Sequence, residues 1–127
     1  MGNVLNLCLS EPSAIDTDAV QMLKRELGEK RCRSVVDTII FEITDTLCRV
    51  ERLIAAESFV ELPDHLMKLR DQSAQVGLIC MLDVANDLID AVEQGDHTAA
   101  SAIASRLIRL GEDSLFSLIE FTDRSII

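Results

Sequence analysis

Residues 32–54 read CRSVVDTIIFEITDTLCRVERLI, from Cys32 to Ile54, and their spacing decides the fold. Cys32, Val36, Ile39, Ile43, Leu47, Val50 and Ile54 recur every three or four residues, the signature of one apolar face on a helix. Val35, Ile40 and Leu53 widen that face. A helix running from about Glu29 to Glu57 with a single wide stripe needs partner helices to cover it, which predicts a bundle.

Outward from this seam, the neighbouring segments carry helix signals of their own. Asp16 or Thr17 caps a short helix ending at Leu27, with Val20, Leu23 and Leu27 inward and Gly28 at its C-terminal stop. Beyond the long helix, Pro63 suits a first turn, where its missing N–H goes unneeded. Leu62, Leu66, Leu69, Ser73 and Val76 then face the core. Val76-Gly77-Leu78 reads as a tight turn between helices, the alternative being one helix from Pro63 to Gln94. A further helix spans about Ile79 to Gln94, with Met81, Val84, Ala85, Leu88 and Val92 inward. Gly95 stops it, and Asp96 caps a last helix to about Thr122, carrying Ile103, Leu107, Leu110, Leu118 and Phe121. Gly111, followed by Glu112 and Asp113, marks a candidate kink. The expectation is an all-α, antiparallel up-and-down four-helix bundle with a short N-terminal capping helix, occupying residues 16–127. Residues 1–15 form an N-terminal segment, packed across a bundle end or a tail.

Composition agrees. The chain has 127 residues, enough for one core, and only five Gly and two Pro, too few for the turns of a β-sandwich. Its formal net charge of −10 argues against non-specific nucleic-acid binding and against an anionic membrane surface. Lys24, Arg25, Lys30, Arg31 and Arg33 concentrate basic charge at the first helix junction, as a docking patch or a solvated junction. No apolar run is long enough to span a bilayer or serve as a signal peptide, and Asn6 stands where a myristoylation signal has Ser or Thr. Cys8, Cys32, Cys48 and Cys80 lack metal-ligand spacing; three of the four fall at apolar helical positions and read as small buried hydrophobes. Reduced thiols fit a cytoplasmic protein.

Enzyme motifs are missing: there is no phosphate-binding glycine loop, no dinucleotide fingerprint and no H-E-x-x-H zinc pattern. No metal or cofactor is expected. Asp83, Asp87 and Asp90 form a stripe opposite the core, read as a solvated face, and His97 reads as ordinary surface.

One segment carries a resemblance. Met67-Lys68-Leu69-Arg70-Asp71-Gln72-Ser73-Ala74-Gln75-Val76-Gly77 is similar to the H-x-L-K-G-(S/A)-A-x-x-L/V-G motif of histidine-containing phosphotransfer domains, whose helix ends at the last Gly. The likeness is carried by Leu69, Arg70 in place of Lys, Ala74 one place beyond the motif's Ala, Val76 and Gly77. The helix order, Phe41 on the long helix and the Gly95-Asp96 turn extend it over about residues 16–122.

The resemblance implies a phosphorelay component that meets a response-regulator receiver domain or a sensor kinase. It also implies that Met67 holds the phospho-acceptor position. A thioether has no proton to lose and forms no stable phosphoryl adduct, so no catalytic residue is expected there. Asp71 replaces the small Gly that allows close approach, and it lies about 40° from Met67 around the helix. Met67 itself points about 140° away from the centre of the apolar stripe, towards solvent. The expected partner face is Asp64, Met67, Lys68, Arg70, Asp71, Ala74 and Gln75. Two other readings stand beside this non-phosphorylated binding protein. One is an active phosphotransferase using His65, which points about 160° from Met67 and closer to the core side. The other is a structural homodimer, signalled by exposed apolar residues on the long helices.

Overall fold

A computed structural model of the protein describes residues 15–126, so the expectation for the N-terminal segment lies, but for Ile15, outside the described residues. The described residues are all-α: α1 Thr17–Leu27, α2 Glu29–Ala55, α3 Leu62–Gln75, α4 Ile79–Glu93 and α5 His97–Ile126. A 3₁₀ turn, Phe59–Glu61, joins α2 to α3. In the up-and-down bundle α2 packs on α3, α3 on α4, α4 on α5, and α5 back on α2, while α1 lies against α2 and α3.

The seam that predicted α2 forms its buried face: Cys32, Val36, Ile39, Ile43, Leu47 and Val50 are buried, and Ile54 is partly so. They meet Leu62, Leu66, Leu69 and Val76 of α3 and its turn, Met81, Val84, Ala85 and Leu88 of α4, and Leu107, Leu110 and Leu118 of α5. Sequence periodicity missed Ile89, Ala100, Ala104 and Leu115, which the core also takes in. Ala100 and Ala104 are small and let helices approach without signalling burial through bulk. Of the described cysteines, Cys32 and Cys80 are buried and Cys48 is exposed. Burial pushes the Cys32 thiol up, which keeps it protonated and inert.

The helix ends follow from backbone hydrogen bonds. α3 stops at a Schellman motif: Leu78 N–H donates to the Ser73 carbonyl at 2.8 Å and Gly77 N–H to Ala74 at 3.3 Å. Gly77 sits at φ 77°, and this turn rules out a continuous helix from Pro63 to Gln94. Asp16 N–H donates to the Gly77 carbonyl at 2.8 Å, which ties the start of α1 to the α3–α4 turn. α2 ends two residues earlier than expected, at Ala55. Glu57 turns left-handed at φ 56°, and Ser58 N–H closes the end by donating to Leu53 at 2.9 Å. At the start of α5, Asp96 caps through its carboxylate, which accepts from Ala99 N–H at 3.0 Å.

α5 runs unbroken through Gly111, the candidate kink position. A Cβ at Gly111 would lie 2.5 Å from Leu47 Cδ1, so the glycine serves close packing of α5 on α2. Among the described residues no helix is long and apolar enough to cross a membrane.

Candidate functional site on the outward face of α3

α3 buries Leu62, Leu66, Leu69 and Ser73, and the helical repeat turns Asp64, Met67, Asp71 and Ala74 the other way. Met67 is 43 % exposed at the centre of this face, as its angle to the core stripe predicted. Asp64, Lys68, Asp71, Ala74 and Gln75 are exposed around it, while Arg70 is half-buried. Arg70 Nε donates to Asp71 Oδ1 at 3.3 Å, so this guanidinium is turned onto the carboxylate beside Met67.

On the side facing α2, the site gains residues that sequence reasoning left out. Gln72 Nε2 donates to Glu42 Oε1, and Lys68 Nζ lies 4.0 Å from the same oxygen. Glu42 thus accepts one hydrogen bond from α3 and forms a longer ion pair with it, which joins that helix to α2. Gln72 is buried, and its own Oε1 lacks a hydrogen-bond partner among the described residues, as does Ser73 Oγ. The pairing spans 30 residues, so neither helix on its own signals it.

His65 is partly buried, as its angle to Leu69 predicted. It lines a hollow between α2 and α3 with Arg49, Arg52, Leu53, Ala56 and Glu61. Arg49 is engaged: its Nε donates to Asp45 Oδ2 at 2.9 Å, and this hydrogen bond holds the Asp45 carboxyl below the usual carboxylate range. His97, expected as ordinary surface, is exposed but stacks on Phe59, with ring centroids 4.0 Å apart and planes within 5°. The stack ties the start of α5 to the α2–α3 connection. It belongs to the bundle end and is separate from the Met67 face.

The Asp83, Asp87 and Asp90 stripe departs from a fully solvated face in one respect. Partial burial raises the Asp87 carboxyl pKa, Arg106 opposes that rise, and Asp83 and Asp90 add to it. Among the described residues no group of three or more His, Cys, Asp or Glu could hold a metal ion. The basic residues at the α1–α2 junction are partly paired, Lys24 with Glu29 at 3.5 Å and Arg33 with Asp123 at 3.0 Å.

No family model matches the chain, and no curated protein or solved structure does either.

Proposed function

We propose that this bundle is a phosphotransfer-like binding protein that presents the Met67 face of α3 to a receiver domain or sensor kinase and carries no phosphate. One observation supports the reading above the others: the thioether of Met67 stands exposed at the middle of an outward helical face, flanked by the Asp71 carboxylate. An exposed, polarizable Met is a suitable hydrophobic anchor for a partner. It cannot accept a phosphoryl group. The Asp71 carboxylate repels the acidic pocket of a receiver domain, which lowers the complementarity that in-line transfer would need. The protein then acts by occupying its partner, as a competitor or an adaptor. Mixing it with aspartyl-phosphorylated receiver domains tests this. Complex formation without acid-labile phosphate on the bundle is the expected outcome, and label on the bundle would overturn it.

A second reading has its own observation. His65 shares its hollow with the guanidinium groups of Arg49 and Arg52, which suit a phosphoryl oxyanion. Against it, Arg49 is already paired with Asp45, and Glu61 adds a carboxylate to the same hollow. Phosphoryl uptake that disappears in His65→Ala would select this reading.

A further inference from the structure

The flank formed by α2 and α5 is distinct from the Met67 face. Two contacts fix its register: Arg33 pairs with Asp123, and Leu47 packs against Gly111. The helices therefore run antiparallel, and counting inward between these contacts brings Phe41 level with Phe116, with Ile119 one turn away. All three are open to solvent: Phe41 is 74 % exposed, Phe116 63 % and Ile119 42 %. Single exposed apolar residues are ordinary, but two phenylalanines and an isoleucine at one level of one flank form a patch.

A groove lies between the same two helices, and Leu115, next to Phe116 in the chain, lines it. Two hollows between α2 and α5 adjoin, sharing Glu51 and Ile108. The groove has apolar walls in Leu47, Ile108 and Leu115, and Glu51 and Glu112 also line it. Adjoining hollows with apolar walls between two antiparallel helices suit the side chains of a third helix. Charge then selects among occupants. Besides Glu51 and Glu112, the exposed Asp37 stands one turn before Phe41, and Arg109 is the one basic side chain lining the two hollows. A second copy would bring the same carboxylates and a further net charge of −10 to this face.

We propose that the α2–α5 groove docks a basic amphipathic helix of a partner protein. The apolar side of that helix covers Phe41, Phe116 and the groove walls, and its Lys or Arg residues meet Glu51, Glu112 and Asp37. This site is independent of the Met67 reading. Together the two would give the bundle two faces, which is what an adaptor needs.

The test is an NMR titration of the isotope-labelled protein with a synthetic Leu/Lys peptide of amphipathic helical pattern. A Leu/Glu peptide of the same pattern is the control. Shifts concentrated at Thr44, Cys48, Ile108 and Glu112 are expected. A Phe41→Ser/Phe116→Ser variant should keep its helix content, because both side chains are exposed, and lose affinity about tenfold or more. The proposal is overturned by shifts spread over the whole acidic surface with unchanged affinity in the serine variant, which is mere charge attraction. It is equally overturned by shifts confined to the Met67 face, by the Leu/Glu peptide binding as well as the Leu/Lys one, or by groove signals that move with protein concentration alone, which means self-association.

Discussion

Gln72 of α3 donates its side-chain amide to Glu42 of α2, a contact between the two helices on the flank of the face that shows Met67 to solvent. Lys68 reaches the same carboxylate from one turn away. Glu42→Ala should cost about 1 kcal/mol, because the pair is only partly buried and water replaces part of what is lost. Glu42→Gln, which keeps an acceptor, should cost less. Urea denaturation of the two single variants, of Gln72→Ala and of the Glu42→Ala/Gln72→Ala double variant measures this. A coupling energy of zero would remove the pair from the account.

The turn at Gly77 gives a prediction by comparison. Gly77 and Gly95 share positive φ, at 77° and 71°. A Cβ at Gly95 meets nothing, whereas one at Gly77 runs into the Asp16 carbonyl. Gly95→Ala should therefore cost about 1 kcal/mol, the ordinary cost of a left-handed alanine. Gly77→Ala should cost clearly more and should loosen α1, since Asp16 N–H donates to the Gly77 carbonyl. Hydrogen exchange over α1, compared between the two variants, separates the local effect from the global one.

Glu57 is a left-handed residue with a full side chain at the end of α2. Glu57→Gly should raise stability by about 0.5–1 kcal/mol, since the native φ favours glycine. A lower thermal midpoint in this variant would show that the side chain has a role that the backbone does not reveal.

The Arg49 hydrogen bond depresses the Asp45 pKa. A carboxyl with a lowered folded pKa adds stability above its unfolded pKa and loses it as pH falls through the folded value. Arg49→Met should return Asp45 towards the ordinary carboxylate range, as read by carbon-detected NMR titration. Both groups are exposed, so the change in overall stability should be small.

The fold was legible because its signals are local. The α2 seam repeats over seven positions with the period of a helix, and Val76-Gly77-Leu78 carries a helix stop within three residues. The exposure of Met67 followed from one helix and one angle. Glu42 and Gln72 were not legible, because their pairing joins two helices and appears in the periodicity of neither. The groove was illegible for the same reason, since its walls come from two helices far apart in the chain. Phe41 extends the family resemblance, and the packed bundle leaves it in solvent, at the level of Phe116 along the neighbouring helix. The stop of α2 at Ala55 was missed because Glu57, a good helix former, gives no sign of a left-handed turn.

The proposed function puts Met67 at a phospho-acceptor position that can no longer carry phosphate, on a face that still binds a partner. The direct measurement is acid-labile phosphate on two proteins after incubation with a panel of aspartyl-phosphorylated receiver domains. One protein is the natural chain, and the other carries Met67→His with Asp71→Gly. No label is expected on the natural chain, and label is expected at position 67 of the double variant. Label on the natural chain, mapped to His65, would contradict the proposed function.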